Sequence, residues 1–200
     1  MAGASARVLN RSVVAFGAPG WTPPAVVLVD TNVAAEALLK GAAEHVSCVA
    51  LFQRLRDEGT TVVFNRLMEI EFVGDGLQRR SAPTLPRKQL RHVRFSDDGR
   101  LRAASALDDA RARWERMIAR INWLRVELHE IADAVPDLMR SYGLQSYDAV
   151  HAATLSASGI TDFVTRDIDF ARLLPEDATL PTTAARVKAT LGRRRTAAPC

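Results

Sequence analysis

With 200 residues and 48% hydrophobic side chains, the chain can bury a full core and needs neither disulfides nor metal merely to fold. Its two cysteines, Cys48 in an apolar-periodic stretch and Cys200 in a polar tail, form neither a disulfide framework nor a thiolate zinc site and fit a reducing cytoplasm. The net charge of +4 favours a polyanionic partner without identifying it, and no stretch reaches the ~20 apolar residues of a membrane span.

Residues 1–25 mix Ala, Gly, Ser and Pro without a sustained period, and they read as a flexible extension. Within them, Val13-Val14-Ala15-Phe16 falls short of a signal-peptide core of ~7–15 residues, so a soluble cytoplasmic protein is expected. The domain is expected over 26–192, with a basic flexible tail over 193–200. Val26-Val27-Leu28-Val29 is a continuous apolar run, the pattern of a strand buried on both faces, and it ends at Asp30. A helix follows to about Lys40, and another runs from an N-cap at Ser47 to the Gly59 stop, carrying Leu51, Phe52 and Leu55. Thr61-Val62-Val63-Phe64 is a second strand, followed by a helix over 66–79 with a core stripe of Leu67, Ile70, Val73 and Leu77.

Next, Leu107, Ala110, Trp114, Met117, Ile121, Leu124, Leu128, Ile131, Val135 and Leu138 recur at steps of three and four. This heptad-like seam predicts an inserted amphipathic helix or helix pair over about 98–142, broken near Pro136. Ser146 caps a helix through Ser156 that leads to a third strand at Phe163-Val164-Thr165. Strands alternating with helices predict an α/β/α sandwich around a parallel sheet.

Four carboxylates stand where amphipathic patterning would not have placed them. Asp30 ends a buried strand, and open α/β sheets bind ligands just beyond strand carboxyl ends; capping the next helix is its alternative role. Glu71 borders a buried helical stripe, and a solvated edge position is the alternative. Asp148 lies on an apolar stripe with Ala152 and Leu155, although a first-turn aspartate also complements the helix dipole. Asp167 follows the third strand, whereas Asp169 reads better as the cap of a short helix holding Phe170, Leu173 and Leu174. Their convergence carries the case: carboxylates after two strands and on two helices can meet at one sheet edge, and several so close cannot all stay ionised without a cation. Hard oxygen ligands select Mg²⁺ or Mn²⁺, which activate water for phosphodiester cleavage without a covalent nucleophile.

In order and context, Val29-Asp30-Thr31-Asn32, Glu71, Tyr147-Asp148-Ala149-Val150-His151-Ala152-Ala153-Thr154 and Thr165-Arg166-Asp167-Ile168-Asp169-Phe170 resemble a PIN domain. The likeness is to the VapC-like toxin ribonucleases of bacterial toxin–antitoxin pairs, and it spans roughly Val26 to Leu191 with a poorly matching middle. The resemblance implies a Mg²⁺- or Mn²⁺-dependent endoribonuclease that acts on RNA, forms a homodimer and is held inactive by a small antitoxin. It implies Asp30, Glu71, Asp148 and Asp167 as the acidic quartet, Thr165 and Asn32 as auxiliaries, Asp169 as a fifth acid and Glu69 as the fallback glutamate. The N-terminal extension and the long spacing from Glu71 to Asp148 depart from typical members.

His151, one turn after Asp148, reads as a helix-surface histidine over one that orients a phosphate or water; His45 and His92 have no partner at ligand spacing, and His129 with Asp133 has i, i+4 metal spacing but reads as a solvated face. Arg66, Arg79, Arg80 and Arg166 are candidates to hold a phosphate backbone, with Trp114, Trp123 or Tyr147 available for base stacking, although such aromatics more often pack than stack. Two rival classes compete with the nuclease. A haloacid-dehalogenase-type phosphatase resembles Asp-x-Asp, but position 32 is asparagine; phosphate-loop and dinucleotide fingerprints are also absent. A non-catalytic PIN-like RNA-binding or regulatory module needs the same fold without a working quartet.

Overall fold

The computed structural model describes residues 12–18, 20–39, 41–72, 97–167, 170 and 179–182. Its strands are β1 (Ser12–Ala15), β2 (Val26–Val29), β3 (Thr61–Asn65), β4 (Asn122–Val126), β5 (Phe163–Val164) and β6 (Thr179–Thr182). Four of them form a parallel sheet in the order β4-β3-β2-β5, while β1 and β6 pair in parallel beside it. Thr165 N–H donates to the Pro181 carbonyl at 3.2 Å, joining the β5 end to β6.

Consecutive residues of β2 and β3 are buried, as strands covered on both faces require. The flanking helices are α1 (Thr31–Leu38), α2 (His45–Asp57), α3 (residues 66–72), α4 (Asp97–Ile118), α5 (Val135–Tyr142) and α6 (Ser146–Ser158). Thus the α/β sandwich and its three expected strands are present. Helix α2 begins at His45, two residues before the expected Ser47 cap, and Gly59 beyond its end adopts φ +70°, a backbone that glycine takes without steric penalty. Helix α6 starts at Ser146 itself, with Gln145 preceding it as a cap residue that makes no side-chain bond.

Two expectations are corrected. Ser12–Ala15 is a strand rather than part of a loose extension, because β6 supplies its backbone partners. Phe16 and Trp21 behind it are buried, and Arg54 lies 5.2 Å from the Trp21 ring centre while donating to the Trp21 carbonyl. The segment 98–142 is not continuously helical either. Helix α4 buries Ala110, Trp114 and Met117, but the chain then enters β4, whose backbone pairs with β3 from Thr61↔Asn122 to Asn65↔Val126. Sheet pairing overrides the apparent seam there, and Trp123 and Leu124 are left on the exposed edge. Pro136 lies in the first turn of α5, where its missing N–H does no harm, so it starts a helix instead of breaking one.

In α3 the buried residues are Met68 and Phe72, whereas Ile70 is 56% exposed, which corrects the expected core stripe. Val73, Leu77, Leu173 and Leu174 lie outside the described residues, as does the 193–200 tail. Trp114 packs edge-on against Phe64 at 4.7 Å, tying α4 to the sheet.

Candidate active site

Successive strands step from β2 through β3 to β4 on one side, then return to β5 on the other. The reversal opens a crevice at the carboxyl ends of β2 and β5. Asp30 follows β2 there and caps α1, accepting from Asn32 N–H at 3.2 Å. Its second oxygen accepts from the Asn32 amide at 2.6 Å and from the Thr165 hydroxyl. Thr165 Oγ1 in turn accepts from Asp167 N–H at 2.9 Å, while Asn32 Oδ1 accepts from Arg166 N–H at 3.1 Å. Asn32 and Thr165 therefore stitch the two strand ends together around Asp30.

Helices α3 and α6 deliver the other acids. Glu71 Oε2 accepts from the Thr31 hydroxyl at 2.7 Å and lies 3.5 Å from His151 Nε2. Asp30, Glu71, Asp148 and Asp167 line one cavity of about 520 Å³, together with His151, Ile70 and Tyr147. Asp169 lies outside the described residues. Glu69 turns away to pair with Arg66 and, at 3.9 Å, with Arg125, so Glu71 supplies the cavity's glutamate.

Burial acts first on the acidities of these groups, and neighbouring charges second. Burial pushes the Asp30 carboxyl upward, with Glu71 adding to the rise against the opposing pull of His151, Thr165 and Asn32. Asp148 is raised by burial and then by Asp167. Glu71 goes the other way: burial opposes its charge, but His151 and Thr31 outweigh it and lower its pKa. For His151, burial disfavours the charge while Glu71 and Asp30 favour it more, for a net rise.

Among the described residues, no group of three or more acidic, histidine or cysteine side chains closes tightly enough to grip a bare ion. The donor chemistry nevertheless fits a hard divalent cation, because four carboxylates share a cavity with room for an ion that keeps several waters.

Two surface expectations change, for His151 and for the arginines. His151 is buried, not on the helix surface, since α6 turns it inward against Asn65 and Glu71. Arg166 is held by the buried Glu36 carboxylate, and Arg66 by Glu69, so both guanidinium groups have acidic partners; Arg79, Arg80 and His92 lie outside the described residues. Trp114 is core, whereas Tyr147 is 54% exposed at the cavity and free to stack. Asn65 was not among the residues the sequence pattern singled out, although an asparagine between a strand and a helix is a recognisable capping signal.

The chain is a parallel α/β domain with an acid-lined crevice at its topological switch, and comparison with known proteins narrows the class. The family model of the PIN domain matches residues 27–174, most of the chain, and the protein belongs to that family. No curated protein matches it. Among solved structures it is similar to a chain of VapBC2 from Rickettsia felis, determined bound to a DNA fragment from their promoter. The identity is 12% and the TM-score 0.46, with 78% of this chain and 98% of that chain covered. No helix among the described residues is long and apolar enough to cross a membrane.

Proposed function

We propose that this protein is a Mg²⁺- or Mn²⁺-dependent endoribonuclease, the toxin of a type II toxin–antitoxin pair. The observation that carries the catalytic reading is the meeting of Asp30, Glu71, Asp148 and Asp167 in one cavity at the switch point of the sheet. Membership of the PIN family supports a nuclease, and the VapC-like order of the sequence motifs supports the toxin assignment. Bound there, a divalent ion would supply an activated water and neutralise charge on the phosphodiester.

The chain's own residues prepare that site. Asn32 and Thr165 hold Asp30 in place, Thr31 fixes one oxygen of Glu71, and Asp148 and Asp167 line the same cavity. Tyr147 offers an exposed ring to an RNA base beside these acids. In this reading the partners are RNA, a second copy of the chain and a small antitoxin.

Purified protein incubated with tRNA, rRNA and mRNA in Mg²⁺, Mn²⁺ or EDTA is expected to cut only with metal. Asp30→Asn and Asp148→Asn should each slow cutting by more than about 100-fold, beyond the usual effect of outer-shell changes. Well-folded, metal-loaded protein that leaves every RNA intact would replace this reading with a non-catalytic RNA-binding module.

A further inference from the structure

Asn65, Thr154 and His151 are polar side chains buried between β3 and α6, where unmatched polar groups are costly. Every proton among them can be assigned. Asn65 Oδ1 accepts from Met68 N–H at 3.0 Å, and since a backbone N–H can only donate, this end of the side-chain amide must be the oxygen. The other end is therefore a double donor, 3.0 Å from Thr154 Oγ1 and 3.3 Å from His151 Nδ1. Thr154 spends its own proton on the Val150 carbonyl at 2.8 Å, leaving a lone pair for Asn65.

We propose that Asn65 is a positioning residue for Glu71: by donating to Nδ1 of the neutral imidazole it places the His151 proton on Nε2, facing the Glu71 and Asp30 carboxylates. His151 Nε2 stands 3.5 Å from Glu71 Oε2 and 4.0 Å from Asp30 Oδ1. With Thr31 and His151 both directed at Oε2, Glu71 Oε1 has no hydrogen bond among the described residues and is the oxygen left for a ligand. The same Asn65 side chain caps α3, the helix that bears Glu71. One buried amide thus sets both the helix and the hydrogen-bond partner of that carboxylate. The role of Glu71 rests on the proposed function; the proton assignment does not.

Two measurements on the full-length protein separate these layers. In metal-free, mildly alkaline buffer, long-range ¹H–¹⁵N correlation of the imidazole should report the Nε2–H tautomer. Asn65→Asp keeps a capping oxygen for Met68 but offers His151 only acceptors, so Nδ1 should gain a proton and its signature as a bare acceptor should be lost. Titration with Mn²⁺, followed by electron paramagnetic resonance, should then show about 10–100-fold weaker binding in His151→Leu. His151→Gln, which keeps an N–H near the Nε2 position, should recover most of that loss.

An Nδ1–H tautomer in the unmodified protein overturns the proposal, with or without a folded Asn65→Asp variant. So does Mn²⁺ affinity that is unchanged in folded His151→Leu. If the tautomer is Nε2–H and the unmodified protein binds no Mn²⁺, the metal reading of the cavity falls and the Asn65–His151 polarity stands.

Discussion

The two glutamates that flank Ile70 have opposite roles, and helix geometry is the reason. Residues two apart on a helix point about 200° away from each other, so only one of Glu69 and Glu71 can face the cavity. Glu71 takes that place beneath Thr31 and His151, and Glu69 turns to Arg66 and Arg125. Exchanging each for glutamine should separate them in an RNA cleavage assay. Glu71→Gln is expected to lower the rate by more than about 100-fold, while Glu69→Gln should leave it within about twofold and cost less than ~1 kcal/mol of stability. Equal losses in the two variants would reverse the assignment.

At the level of elements, the strand pair β1–β6 is the feature least expected from its sequence. Ser12–Ala15 carries a short apolar run that sits in a Gly-, Ala- and Ser-rich stretch, and it depends on partners more than 160 residues away. The energetic weight of this segment lies just beyond the strand, because Phe16 and Trp21 are buried and Arg54 covers the Trp21 ring. Phe16→Ala should therefore destabilise the protein by roughly 3–5 kcal/mol in urea unfolding, as large-to-small core substitutions do. A change within ~0.5 kcal/mol, typical of an exposed segment, would show that this stretch is not docked in solution. Strand β4 has a different standing: it is anchored by backbone pairing to β3, and its mostly exposed side chains carried little burial signal to read.

For the whole molecule, the acid cavity links stability to pH and to metal. Asp30 and Asp148 are raised, so the folded state holds their protons more tightly than the unfolded chain. Stability from these two is greatest below the unfolded pKa and falls as pH rises through the folded one. Glu71 is lowered, so its contribution is present above the unfolded pKa and is lost as pH falls through the folded value. In EDTA, the unmodified protein should accordingly lose stability relative to Asp30→Asn as pH rises from acid to neutral. Mg²⁺ or Mn²⁺ at about 100 times its Kd should add roughly 2.7 kcal/mol at neutral pH, raising Tm by about 5–10 °C. The rise should shrink toward acid as the carboxyls take up protons, and a Tm indifferent to metal at neutral pH would contradict the cavity's assignment.

Local pattern by itself marked the strands β2, β3 and β5, the helices that start after Asp30 and at Ser146, and Asp30, Asp148 and Asp167 as acids out of place. Those signals are local because burial on both faces and helical periodicity are written in neighbouring residues. Only the tertiary structure decided that Ser12–Ala15 and Asn122–Val126 are strands, since each gains its hydrogen bonds from a distant segment. It also decided that Glu71 rather than Glu69 enters the cavity and that His151 lies beneath it beside Asn65. Which way a side chain faces depends on the packing of α3 and α6 against the sheet, and no spacing along one helix contains that.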